Sequence, residues 1–231
     1  MRALVIQHDH VSPPGPIAER LEERLYDVVC HEVVPEARFA SPGVEPAFPE
    51  VTDFDLVIPM GAPWAAYDTD RIGSWVGPEV ELLQRADAAE IPVLGICFGG
   101  QLLAMAHGGG VARSPYPEIG WVQVDSDDHS LVPPGPWFQW HYDRWSLPPD
   151  AREVARNGAA SQAFVLRRNL AVQFHPELTT AMLHGWLGNG GAHDARSAGR
   201  DPDELLGQTR GEEPAARARA AALVDAFLDT V

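Results

Sequence analysis

The stretch "IPVLGICFGGQLLAMA", residues 91–106, limits the fold more than any other part of the chain. It opens as an apolar strand, "IPVLGI", and continues from Phe98 to His107 with helical spacing, so the backbone must turn at Cys97 with no linker between the two elements. Gly95 stands two positions before that cysteine and Gly99 two after it. A packed core thiol needs no such flanks. A side chain perched on a sharp strand-to-helix turn does need them, because neighbouring Cβ atoms would collide.

A strand running straight into a helix is also the repeating unit of parallel α/β sheets. Upstream, "ALVIQ" (3–7) reads as a buried strand and "HDHVSPPGP" as a loop, while Ile17, Leu21 and Leu25 recur at helical spacing behind Pro16. "YDVVCHEVV" (26–34) and "LVIPM" (56–60) return as strands on either side of a proline-rich connector, and 75–90 reads as a helix. The expected class is therefore α/β, a mostly parallel central sheet with helices on both faces. After Gly110 the short β-type segments "IGWVQVD", "WFQWH", "EVAR", "QAFVLR" and "LAVQFH" predict a smaller antiparallel portion. Helices are expected over 178–187 and 214–230, with an exposed loop between them that includes His193 and Asp194. The whole chain, 1–231, reads as a single domain with a C-terminal helical extension from about 190 onward.

Composition excludes several classes of function. The chain carries 17 basic and 33 acidic residues, a net charge of −16 that repels nucleic-acid phosphates and anionic lipid. Its longest mostly apolar run falls short of the ~20 residues needed to cross a bilayer. With only two cysteines a disulfide framework is not expected, and a reducing, cytoplasmic setting is. Cys30 reads as a core residue within a strand, the seven tryptophans as core and pocket wall, and the "HDH" at 8–10 as a loop without a metal role.

A second chemical signal is "AVQFHPE" (171–177). Period two in an extended chain projects His175 and Glu177 to the same side, with Pro176 setting the bend. A carboxylate beside an imidazole fixes its tautomer and stabilises its charged form, and an imidazole beside a thiol generates the nucleophilic thiolate. Cysteine, histidine and glutamate are the parts of an acyl-transfer triad.

"GICFGGQ" and "HPE", with "MGAP" at 60–63 upstream, resemble the class I glutamine amidotransferases, with the fit closest to stand-alone proteins similar to the glutaminase domain of GMP synthase. "VIQH" (5–8), "PEIGW" (117–121), "QWHYD" (139–143) and "SQAF" (161–164) follow in the same order as the family's blocks. The resemblance implies a flavodoxin-like fold and no cofactor. It implies Cys97 as nucleophile, His175 as general base and then acid, and Glu177 as the group orienting His175. Backbone N–H groups of Phe98 and Ala62 would form the oxyanion hole; the family more often has a second glycine at position 62. Gly61, Gln101, His141, Tyr142 and Asp143 are the implied substrate contacts, although Tyr142 replaces a glycine common in relatives.

The implied reaction is hydrolysis of the γ-amide of glutamine, or of a γ-glutamyl compound, through a Cys97 thioester. Neither a G-x-x-x-x-G-K-S/T loop nor an S-G-G-x-D-S-like run occurs, so a separate synthetase or acceptor subunit is expected if the released ammonia is used for synthesis. Two alternatives remain at this level: a free-standing γ-glutamyl peptide or amine hydrolase, and a non-catalytic regulatory relative, against which the complete triad argues.

Overall fold

The computed structural model describes residues 1–231. Its centre is strand β1 (Arg2–Gln7), flanked in parallel by β2 (Asp27–Glu32) and β3 (Leu56–Pro59). Ala3 to Ile6 are fully buried, as a continuous apolar run must be when a parallel strand is covered on both faces. Alternate side chains go to opposite layers. Ala3 and Val5 pack with Ile17 and Leu21 of α1 (Gly15–Glu23) and with Val224 and Phe227 of α6 (Pro202–Leu228). Leu4 and Ile6 pack with Ile72 and Leu82 of α2 (Thr69–Ala88) and Leu102 of α3 (Phe98–Ala106).

The sheet continues through a parallel bridge between Val57 and Val93 into β4 (Leu94–Ile96), which pairs in parallel with β9 (Asn169–Val172). Beyond β9 the pairing turns antiparallel through β8 (Ser161–Leu166), β7 (Arg152–Arg156), β5 (Gly110–Ser126) and β6 (Gly135–Ser146). The α/β class with helices on both faces follows from this arrangement. No helix is long and apolar enough to cross a membrane.

Several local expectations change. β5 and β6 run for 17 and 12 residues, longer than their apolar cores, because each continues past its buried stretch as a two-stranded ribbon with a register shift between Arg113 and Glu118. α6 begins at Pro202 instead of 214; Asp201 caps it by accepting from the Asp203 and Glu204 N–H groups. The segment expected as a loop holds a π-helical turn (Leu187–Gly191) and α5 (Ala192–Ser197). It is tied down by the fully buried Ala195 and by Arg200 Nε donating to the Ile119 carbonyl at 2.7 Å. Cys30 is exposed, not core, because β2 is the edge strand and pairs only with β1.

The glycines around Cys97 are set by close backbone approach. A Cβ on Gly99 would lie 2.0 Å from the Pro59 carbonyl oxygen, and one on Gly95 would lie 2.8 Å from the Gly100 Cα. Backbone atoms cannot rotate aside as a side chain can. Gly99→Ala is therefore expected to cost about 3 kcal/mol or more through overpacking. For a chain of this size that is a fall in Tm of roughly 6–12 °C. Gly207→Ala, in an open stretch of α6, should be neutral or raise stability by about 0.5–1 kcal/mol. Thermal unfolding of the two variants beside the wild type checks both expectations.

Candidate active site

Cys97 sits where β4 ends and α3 begins, at the carboxyl edge of the parallel strands, the usual location of ligand sites in open α/β sheets. Its backbone has φ 50° and ψ −105°, a conformation L-residues rarely adopt. Two hydrogen bonds hold the turn: Cys97 N–H donates to the Val172 carbonyl at 2.7 Å, and Gly99 N–H to the Met60 carbonyl at 3.0 Å. The turn lifts the thiol above the sheet and leaves the first N–H of α3, that of Phe98, without a protein acceptor.

The other half of the site follows β9. His175 N–H donates to the Phe138 carbonyl at 2.9 Å, which extends the chain along β6, and Phe174 stacks on Trp137 with ring centroids 4.4 Å apart. His175 Nδ1–H donates to Glu177 Oε1 at 2.7 Å, and Glu177 is fully buried. Burial alone would lower the imidazole pKa. The charges of Glu177 and Cys97 outweigh it and hold His175 well above the usual 6.5. The edge of Trp186, from α4 (Thr180–Trp186), packs on the His175 ring at 5.0 Å, and His175 Nε2 has no well-directed hydrogen-bond partner.

Gly61 brings the halves together. A Cβ there would lie 2.9 Å from His175 Cε1 and 3.8 Å from Cys97 Cβ, so the imidazole and the cysteine close on one point and no side chain fits between them. Both line a cavity of about 200 Å³ together with Gly61, Ala62 and Phe98. The Ala62 N–H, like that of Phe98, is taken by no protein acceptor.

Of the expected substrate contacts, Gln101, His141, Tyr142 and Asp143 all line the same cavity. Their free valences differ. Gln101 is buried and its amide donates to the Asp143 carbonyl at 3.3 Å. His141 has both ring nitrogens engaged inside the protein, Nε2 with Glu118 at 3.0 Å and Nδ1 with the Asp143 carbonyl at 3.0 Å, so it supports the wall and has no ring nitrogen left for a ligand. Asp143 Oδ1 accepts from the Tyr67 hydroxyl at 2.8 Å, and the Tyr142 ring carries the Arg113 guanidinium 4.7 Å from its centroid.

Sequence reasoning passed over four contributors. Gln173, fully buried, donates its amide to Cys97 Sγ at 3.5 Å; its position two residues before His175, on the same side of an extended chain, could have marked it. Arg113 is the only lysine or arginine lining the cavity, and nothing local in the sequence marks it. His8 and Glu79 form a buried pair below the Gly61 turn. Glu79 lies four residues after Trp75 and seven after Ile72, on the buried stripe of α2, where a lone acid is a visible anomaly. His8, expected in a loop without a metal role, has its two ring nitrogens facing Gly61 and Glu79. No group of three or more His, Cys, Asp or Glu side chains is arranged to hold a metal ion.

Residues 19–185 match the family described as glutamine amidotransferase class-I. The glutamine-hydrolyzing GMP synthase of Aeropyrum pernix is 38% identical over 134 residues, covering 52% of this chain and 26% of that enzyme, so the match spans about a quarter of the relative's length. A separately encoded part of the glutamine-hydrolyzing GMP synthase of Sulfurisphaera tokodaii, one of its subunits, is 32% identical over 136 residues, covering 54% of this chain and 69% of the relative. The crystal structure of a glutamine amidotransferase from Thermotoga maritima superposes with a TM-score of 0.84 at 25% identity, covering 99% of this chain and 98% of the other. With the family pattern extending over most of its length and the same fold throughout, the chain belongs to the class-I glutamine amidotransferases.

Proposed function

We propose that this protein hydrolyses the γ-amide of glutamine, or of a γ-glutamyl compound, through a covalent thioester on Cys97. The observation that carries the reading is the convergence of Cys97 and the Glu177-bonded His175 on Gly61. The raised imidazole pKa favours a proton on His175, the state in which it partners a thiolate. The thiolate attacks the γ-carbonyl. The oxygen that becomes negative is met by the unused N–H groups of Phe98 and Ala62. His175 then gives its proton to the departing nitrogen as the tetrahedral intermediate collapses, releasing ammonia or an amine. It next takes a proton from the water that attacks the thioester, and glutamate leaves. Glu177 keeps the ring in the Nδ1–H tautomer throughout, aiming Nε2 at the reacting atoms.

Gln101, Tyr142 and Asp143 contribute to holding the glutamyl part, and Arg113 over Tyr142 supplies the cavity's one fixed positive charge. A synthetase partner that consumes ammonia is suggested by the GMP synthase relatives, one of which is itself a separate subunit. A second reading, a hydrolase of γ-glutamyl peptides or amines, is favoured by one feature: Trp140, Trp186 and Tyr142 wall the cavity with aromatic surface that an organic leaving group could cover.

Glutamate release from glutamine, γ-glutamyl peptides and γ-glutamyl amines, assayed with wild type and Cys97→Ala, tests both readings. Loss of the nucleophile should reduce turnover by roughly 10⁴-fold or more. Equal rates for the two proteins on every compound would end the hydrolase reading.

Charge on His175 can be followed separately. Because its folded pKa is raised, the ring stays protonated as pH climbs past 6.5 and loses its proton only above that. Glu177→Gln removes the largest favourable influence, so the titration should move to lower pH and kcat should fall by roughly 10²–10⁴-fold. Imidazole chemical shifts recorded against pH in both proteins measure the first effect. A titration unmoved by the substitution would remove Glu177 from its orienting role.

A further inference from the structure

His8 and Glu79 are both 0% exposed, and neither lines the cavity. The His8 ring is fixed on both sides, stacked on Trp75 at 5.6 Å and edge-on to Phe98 at 4.9 Å. Its Nε2 faces both Glu79 carboxylate oxygens at 3.0 Å, and its Nδ1 faces the Gly61 carbonyl oxygen at 3.2 Å. A carbonyl can only accept, so Nδ1 carries a hydrogen whichever of His8 and Glu79 holds the proton they share. A buried pair of this kind seldom adds net stability over a well-packed apolar pair of similar volume.

The Gly61 carbonyl and the Ala62 N–H belong to one peptide unit. The chain has no cis peptide bonds, and in a trans peptide these two groups point in opposite directions. Whatever holds the Gly61 oxygen therefore decides where the Ala62 hydrogen points. From this geometry we infer that His8, locked by Glu79, is a positioning residue that orients the Gly61–Ala62 peptide so that the Ala62 N–H faces the developing oxyanion. The inference deepens the hydrolytic reading above and rests on it for its catalytic consequence. No other side chain bonds the Gly61 carbonyl, and the neighbouring anchor of the elbow, Gly99 N–H to the Met60 carbonyl, holds the preceding peptide and leaves this one to His8.

Two polar substitutions separate positioning from simple structural support. His8→Gln can put an amide where Nε2 stood and keep Glu79 partnered, but it leaves nothing at the Nδ1 position. His8→Asn does the reverse: its amide N–H can reach the Gly61 carbonyl while Glu79 loses its partner. His8→Gln should be the more stable variant and the slower enzyme. Its kcat should fall toward the roughly 10²–10³-fold loss typical of a missing oxyanion donor, with KM changed by no more than about threefold. His8→Asn should be less stable and retain more of the rate.

Alkylation of Cys97 by iodoacetamide, followed at that residue by peptide mass spectrometry, forms no oxyanion and should stay within about threefold of wild type in both. Crystal structures should reveal the Gly61 carbonyl rotated in His8→Gln and retained in His8→Asn. Rates that follow stability in the two variants, or a Gly61 carbonyl unmoved in His8→Gln, would overturn the inference. If wild type released no glutamate from any compound, the hydrolytic reading would fall, and the orientation of the Gly61 carbonyl in the two crystal structures would still decide whether His8 sets it.

Discussion

The strained backbone at Cys97 is the constraint on which the remaining geometry depends. A non-glycine residue at φ 50°, ψ −105° is costly, by about 1–3 kcal/mol, and persists only where the surroundings over-determine it. Here they do. The Val172 and Met60 carbonyls pin the turn from the two neighbouring strands β9 and β3, and three glycines allow backbone to pack on backbone. Because β9 also carries His175, the strand that clamps the cysteine turn is the one that delivers the imidazole to it. The nucleophile and its partner are thus brought together by a single piece of sheet registry, Ile96 beside Val172, and not by a flexible loop.

That registry explains what could be read from sequence and what could not. The elbow was legible because glycines at 95 and 99 answer a steric demand only a few residues wide. The "HPE" at 175–177 was legible because period two places both side chains on one side. Cys30 was misread because an apolar strand pattern cannot say whether the strand has neighbours on both sides, and β2 has one only on its β1 side. The first half of α6 was missed because Gly207, Gly211 and Pro214 weaken its local helix signal, while burial of Leu205 and the hydrogen bond from Trp121 Nε1 to Thr209 hold it through tertiary contacts. The role expected for His141 required a free ring nitrogen, and whether one exists depends on Glu118, 23 residues away on the paired strand.

The cavity's electrostatics sort into two kinds of group. Those nearest the cysteine are buried and mutually satisfied, so their positions are fixed before any ligand arrives. Those toward the mouth are less constrained. Arg113 rests on an aromatic face and not on a carboxylate, which leaves its donors available, and Asp194 reaches the cavity from α5, an exposed helix held mainly by Ala195. A site built this way keeps its bond-breaking geometry constant while its mouth can diverge, a physical reason for one elbow and one "HPE" to accompany different γ-glutamyl substrates.

Three imidazole–carboxylate pairs surround this one cavity: His175 with Glu177, His8 with Glu79, and His141 with Glu118. All six residues are at most 9% exposed, and pairs so buried carry a desolvation cost that their attraction barely offsets. The apolar layers on both faces of the sheet give the fold its stability without them. What each pair adds is direction. One fixes a ring that must move protons, one fixes a peptide that must meet a negative charge, and one joins β5 to β6 beneath Tyr142 and Asp143. Water in the same places would have to reorganise as charge developed during acyl transfer. Side chains locked in carboxylate pairs do not, and a low-dielectric pocket makes that difference count most at the atom where the charge appears.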